Sequence, residues 1–133
     1  MAAWVDRGLL DKASAPPASA DWRVGELDAQ ARAYLDVNCA HYHRRDGPAS
    51  NSGLFLTYGE QGRAAWGYRK RPVAAGRGLG GLEFDIAPGD PDGSILTYRM
   101  NSLDPGIMMP ELGRALRHDK GVMLIRDWIA LLD

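Results

Sequence analysis

Cysteine is nearly absent from this chain, which has a single cysteine, Cys39, among its 133 residues. One thiol excludes an intrachain disulfide, and it also excludes a zinc site built from several thiolates. The fold must therefore depend on a hydrophobic core, and 45% of the residues are hydrophobic. A chain of this size buries roughly two thirds of its unfolded surface, which is sufficient for one domain without covalent cross-links.

Long apolar runs and an excess of one charge are also missing. No stretch reaches the roughly 18 apolar residues that a transmembrane helix needs, so we expect no membrane insertion. Lys and Arg total 16 while Asp and Glu total 17, whereas a general nucleic-acid binder normally carries a basic excess. The first residues lack the basic and apolar regions of a secretory signal peptide, which agrees with either a cytosolic chain or a fragment of a longer precursor.

Glycine and proline, in contrast, are abundant, with 16 and 8 residues, and most glycines lie within residues 44–89. This composition predicts short helices separated by long ordered loops. The GRGLGG segment at 76–81 lacks the spacing of a dinucleotide-binding loop, and we expect its backbone to pass close to a flat or bulky group. The basic cluster at 69–71 is expected to lie in a solvated loop. Strand-like sequence is limited to 54–56 and 82–86, so an all-α fold is predicted.

Apolar spacing and capping residues predict three helices. The first covers residues 27–38, where apolar side chains recur with a period of 3.6 residues. The second covers residues 90–101, with Asp90 as its N-cap. The third covers residues 119–132, with a continuous apolar stripe and Asp119 as its cap.

These helices place a single domain at residues 27–133. Residues 1–26 are expected to form an approach segment to it. Within that segment we predict a short helix near residues 4–10 and a proline-containing linker of small residues at 13–20.

The segment Cys39–His43 (CAHYH) directly follows the first predicted helix. Covalent haem attachment uses Cys-x-x-Cys-His, in which two thiols add to the haem vinyl groups and the histidine ligates iron. The first cysteine and the final histidine are in register here, but Tyr42 replaces the second cysteine and cannot form a thioether. Far downstream, Met109 precedes Pro110 ahead of the last helix, and a His and a Met are the usual axial pair of an electron-transfer haem.

These residues belong to a wider resemblance to class I cytochrome c domains, in particular to the C-terminal domain of a family of bacterial dihaem c-type cytochromes. It covers about residues 30–132. Its pieces are the helix and haem motif (ARAYLDVNCAHYH), two loops (GPASNSGLFL and RPVAAGRGLGGLEFDIAPGDPDGSIL) and the methionine segment with the last helix (YRMNSLDPGIMMPELGRALRHDKGVMLIRDWIALL). The resemblance implies a cytochrome c-like fold with long loops around a haem. It also implies electron transfer with a redox partner protein in the periplasm or cell envelope.

The resemblance also implies roles for particular residues. His43 would be the proximal iron ligand, and Met109 the distal ligand, because the family's ligand directly precedes proline. Cys39 would be the sole thioether donor, or the haem would be bound without a covalent link. Tyr42 would be a haem-binding residue, or, in a domain that has lost haem, it would fill the volume where a thiol and a vinyl group once met. Arg77 would either bond a haem propionate or lie in solvent.

Two other classes of function stay open. One is a haem-free interaction module that keeps the cytochrome-like fold. The other is a zinc or copper site, because an extended backbone would direct the alternating Cys39, His41 and His43 to one face, with Met109 as a weak axial ligand.

Enzyme signatures are weak. The sequence contains neither a nucleophile elbow nor a His-Glu-x-x-His motif. We therefore expect an electron carrier rather than an enzyme, with incidental peroxidase activity if the distal ligand is weak. The remaining candidates have ordinary structural explanations: His41 and His118 are expected to be surface residues, and Met108 to fill the core.

Overall fold

The computed structural model describes residues 7–8, 21–73, 76–111 and 114–133. Within these ranges the regular structure comprises three α-helices and two short 3-10 helices, and no strand is formed. The elements in chain order are α1 (Leu27–Cys39), η1 (Ser50–Ser52), η2 (Gly76–Leu79), α2 (Ile95–Asn101) and α3 (Asp119–Ala130). The all-α prediction is confirmed at this level. The linker predicted at 13–20 lies outside the described residues, as does the helix predicted near residues 4–10 apart from residues 7–8, which form a turn.

The predicted strand-like stretches do not become strands in the described part of the chain. Residues 54–56 are irregular, and residues 82–86 contribute only to two isolated bridges, which pair Tyr68 with Ile86 and Phe84 with Ser94. Single bridges of this kind align the loops without building a sheet.

The helix boundaries differ from the predicted ones at three points. The predicted helix at 90–101 begins only at Ile95, because the Asp90 carboxylate accepts a hydrogen bond from the Gly93 N–H (2.8 Å) and closes a turn. Asp-Pro-Asp-Gly is turn-forming sequence, and such local bonds compete with the helix. Asp119 is the first residue of α3 rather than its cap, and α3 ends at Ala130, two residues early. In contrast, α1 matches its prediction within one residue.

The core lies where α1 and α2 both pack against α3. Gly121 of α3 allows the close approach to α1, because a Cβ at this position would collide with the Tyr34 hydroxyl. The two tryptophans Trp66 and Trp128 contact each other with ring centroids 5.3 Å apart. The most deeply buried large side chains are Leu35, Leu56, Ile86, Ile125, Trp128 and Ile129.

Polar side chains fold the long segment between α1 and α2 back onto the helices. Arg32 of α1 is 8% exposed, and its guanidinium donates to the carbonyl of Glu60 (2.6 Å) while lying over the Trp66 ring. At the glycine-rich loop, a Cβ on Gly78 would lie 2.9 Å from the guanidinium carbon of Arg99. The expectation that this loop passes close to a flat group is confirmed.

No helix in the described residues is both long and apolar enough to cross a membrane.

Candidate functional site

Two neighbouring cavities, of about 110 Å³ and about 230 Å³, open beside the end of α1. We call the two together the cleft. The two cavities share five of their lining residues: Asn38, Cys39, Met100, Met109 and Pro110. Taken together, they reach the lower end of the size range of small-molecule sites, which is about 300–1,000 Å³.

Four of the five predicted site residues line the first cavity: Cys39, Tyr42, His43 and Met109. The fifth, Arg77, is exposed and lies outside the cleft, with a guanidinium nitrogen 3.9 Å from the carboxylate of Asp104. Of the two roles proposed for Arg77, its position favours the solvated one.

The chain makes a helical turn immediately after α1. The N–H groups of Tyr42 and His43 both donate to the carbonyl of Cys39, at 3.0 Å and 2.9 Å. Residues four apart in such a turn share a side, which brings Cys39 and His43 to the same cavity. The extended backbone assumed for the zinc or copper site is therefore wrong. Nor do the described ranges hold any group of three or more His, Cys, Asp and Glu side chains placed to bind a metal ion.

The His43 imidazole is half-buried, and one ring nitrogen is held by the loop that follows it. Nδ1 lies 3.4 Å from the Ser52 hydroxyl. Burial lowers the pKa of His43, a backbone hydrogen bond with Leu54 opposes this shift, and the positive charge of Arg99 adds to it. The ring is therefore neutral at neutral pH, which is the form that ligates metals.

Two of the three sulfur-containing residues of the cleft, Cys39 and Met109, differ in character. Burial raises the pKa of the Cys39 thiol to about 12, so the sulfur stays protonated rather than being a reactive thiolate. Met109 is held through its backbone, because its N–H donates to the carbonyl of Arg99 (3.1 Å) and its carbonyl accepts from Arg114. Met108 lines neither cavity, which agrees with the preference for Met109 as the site residue.

Arg99 is a cleft residue that the sequence analysis missed. Its guanidinium Nε donates to the carbonyl of Ile107 (2.8 Å), and Gly78 leaves room for its flat face. Burial lowers the pKa of Arg99, and no carboxylate of the described chain lies within ion-pair distance of it. The glycine-rich loop indicated a flat neighbour, but nothing in the sequence identified which one.

Lys70 and Asp85 form a second charged feature of the cleft that was missed. Lys70 was expected to be solvated, but its side chain is only 15% exposed and its Nζ lies 2.9 Å from the carboxylate of Asp85, which lines the first cavity. Burial raises the pKa of Asp85, and Lys70 opposes that shift. The neighbouring Arg69 and Arg71 are exposed, as predicted. The basic cluster is thus solvated at its two ends and buried in its middle.

Two stacked aromatic side chains, Tyr34 and His118, line the second cavity. Tyr34 is 5% exposed, and its hydroxyl lies 3.0 Å from Nδ1 of His118, whose ring stacks on it. His118 is exposed, as predicted, but it also has this buried partner. Trp22 contacts both rings edge-on, so part of the predicted approach segment packs against the domain.

The comparisons with known proteins find no match to this chain among family models, curated proteins or solved structures. The proposals below depend on the geometry of the cleft and on the residues of the haem motif.

Proposed function

We propose that this chain is a haem-binding electron-transfer domain of cytochrome c-like fold, with His43 and Met109 as the axial iron ligands. The observation that supports the proposal most strongly is that these two residues, 66 positions apart in the sequence, line one cavity together with Cys39. The sequence alone indicates both the motif and the distant methionine. Their meeting at one cavity is what a haem site requires.

The donor set suits haem iron. A neutral imidazole and a thioether are the ligand pair of many electron-transfer haems. The buried Cys39 thiol is suitably placed for a single covalent link to a vinyl group, while Tyr42 lines the same cavity where a second thiol would stand.

The rest of the cleft suits the two parts of a haem. Apolar side chains of the first cavity, such as Leu54, Leu56 and Leu96, would contact the ring and exclude water from it. Arg99 supplies a half-buried cation without a carboxylate partner among the described residues. The carboxylates of Asp85 and Glu111 act on Arg99 without forming an ion pair with it, so an anionic group of the bound molecule would supply the ion-pair partner that they do not. Arg99 therefore replaces Arg77 as the candidate for contact with a propionate.

A haem in this cleft would supply one-electron oxidation and reduction of its iron. The chain's own contribution is to hold the ligand nitrogen neutral, to present the methionine sulfur and to keep the site apolar. A redox partner protein and a place in the cell envelope belong to the same proposal. Peroxidase activity would be incidental and would require loss of the Met109 ligand.

The test is the visible absorption spectrum of the purified chain, followed by acid–acetone extraction. A Soret band with haem that resists extraction would indicate attachment through Cys39, and Cys39→Ser should then make the haem extractable. A Soret band with extractable haem would indicate a non-covalent site. A chain that shows no Soret band, even after haem is added, contradicts the proposal, and metal analysis would then test the zinc or copper alternative.

Matched variants test the ligands. His43→Ala should abolish the low-spin haem spectrum, whereas His41→Ala, at an exposed position that also lines the first cavity, should retain it. Met109→Leu should shift the reduction potential, whereas Met108→Leu, outside both cavities, should not. Equal effects within either pair would contradict that ligand assignment.

A further inference from the structure

Lys70 connects two parts of the chain that meet beside His43. Its ammonium group donates to the carboxylate of Asp85 and to the backbone carbonyl of Ser52, both at 2.9 Å. A Cβ added at Gly53, whose backbone is left-handed (φ 63°), would lie 3.4 Å from the Cε atom of Lys70. The backbone at Ser52 and Gly53 is therefore held by the half-buried ammonium group of Lys70.

The hydroxyl of Ser52 has a complete set of hydrogen-bond partners. It donates its only proton to the carbonyl of Ala49 (2.7 Å) and accepts from the N–H of Leu54 (3.2 Å). A serine hydroxyl has one proton and two acceptor sites. The remaining contact, with Nδ1 of His43 at 3.4 Å, can therefore be made only if the oxygen accepts and Nδ1 carries the proton.

The hydrogen bonds of the Ser52 hydroxyl therefore favour one tautomer of His43. With the proton on Nδ1, the lone pair of the imidazole lies on Nε2, and the backbone hydrogen bond of the ring with Leu54 must then also be made through Nδ1. Nε2 is then the nitrogen available to a ligand in the first cavity. A ligating histidine generally depends on such an outer partner for its tautomer and its ring orientation.

We propose that Lys70 is a positioning residue for His43: by bridging Asp85 and the Ser52 carbonyl, it holds the Ser52 hydroxyl where it keeps the proton on Nδ1. The part of this inference that concerns iron rests on the proposed haem function. The part that concerns the tautomer does not, because it involves only atoms of the chain.

The first experiment measures the tautomer in the full chain without haem, by ¹⁵N NMR of the His43 ring. The wild type should show the proton on Nδ1. The double variant Lys70→Met/Asp85→Asn removes both charges, so no unpaired carboxylate stays buried and the fold should survive. We expect a mixture of tautomers in this variant and in Ser52→Ala.

The matched control is Arg71→Met/Glu83→Gln, which removes the adjacent exposed ion pair and should leave the wild-type tautomer. A folded Lys70→Met/Asp85→Asn variant with the proton still fixed on Nδ1 would overturn the inference. If that double variant does not fold, Ser52→Ala decides the same question.

The second experiment compares haem with iron-free protoporphyrin IX, each titrated into the chain. Loss of an outer-shell partner typically weakens metal affinity by about 10–100-fold. We expect that loss for haem in the Lys70→Met/Asp85→Asn variant, and a change of less than about twofold for the iron-free ring, which needs no imidazole. Equal losses for both would reduce Lys70 to a structural role. A wild type that binds neither molecule would instead count against the proposed function and leave the tautomer result standing.

Discussion

The helical wall of the cleft, formed by α1 and α3, is held by apolar packing, whereas the loop wall, residues 41–94, is held by polar side chains that reach distant backbone groups. On the helical wall, Leu35 of α1 and Ile125 and Ile129 of α3 are fully buried where the two helices pack together. On the loop wall, the comparable position is taken by Lys70, which donates to the distant carbonyl of Ser52, and Arg32 of α1 reaches across to the carbonyl of Glu60 in that wall.

This difference predicts how each wall responds to substitution. Apolar packing distributes its stabilisation over many contacts, and a truncated side chain leaves a cavity whose cost depends on its size. A buried ion pair concentrates its effect, because removal of one partner leaves the other charge buried and unpaired. The loop wall should therefore contain the single most sensitive position of the fold.

Lys70→Met should have the largest effect on stability. It leaves the Asp85 carboxylate, 10% exposed, without its cation, and we expect the free energy of unfolding to fall by about 4 kcal/mol. Urea unfolding measures this loss. Arg71→Met is the matched control, because its ion pair with Glu83 is exposed, and the expected change is under about 1 kcal/mol. Similar losses in the two variants would remove the contrast between the walls.

Ile125→Ala tests the helical wall. Ile125 is fully buried in α3, and truncation of such a side chain to alanine costs about 2–5 kcal/mol, so we expect a loss of about 3 kcal/mol. Met123, two residues earlier and 62% exposed, is the control, and Met123→Ala should change the stability by less than about 0.5 kcal/mol. If both substitutions had small effects, α3 would not be the packed element described above.

The contrast between apolar packing and polar contacts also explains how much of the fold could be predicted from the sequence. The spacing of apolar residues located α1 within one residue and the start of α3, because burial on one face imposes a 3.6-residue period. The start of α2 was missed, since Asp90 and Gly93 form a local turn that a capping rule does not weigh against a helix.

Some residues of the candidate site could be predicted from the sequence and others could not. The haem motif and Met109 were visible as residue types at recognisable spacings. The buried roles of Lys70, Asp85 and Arg99 were not, because their partners lie 15, 15 and 8 residues away along irregular chain. No periodicity links such residues. Their pairing depends on how the loops fold back over the helices.

Tyr34→Phe tests whether the helical wall also depends on a polar contact. The substitution keeps the ring and removes only the hydrogen bond to His118 (3.0 Å), so we expect a loss of about 1 kcal/mol in the free energy of unfolding. Tyr58→Phe, at a 44% exposed position, should change it by less than about 0.5 kcal/mol. A loss at Tyr34 as large as that of Ile125→Ala would show that this wall is not held by apolar packing alone.

The last effect is confined to alkaline pH. Burial raises the pKa of Tyr34 from 10.0 to about 12, so the folded chain keeps the phenol proton to a higher pH than the unfolded chain does. The unfolded state therefore binds fewer protons in this range, and the free energy of unfolding falls as the pH rises from 10 towards 12. Tyr34→Phe lacks this contribution. A shift of about two pKa units corresponds to about 3 kcal/mol, which exceeds the hydrogen bond lost, so the deficit of the variant should shrink above pH 10 and reverse in sign towards pH 12. Unfolding curves across that range measure the deficit, and phenolate absorbance should show a late-titrating tyrosine that the variant loses. A deficit that stays constant with pH would mean that the Tyr34 hydroxyl is as solvated as it is in the unfolded chain.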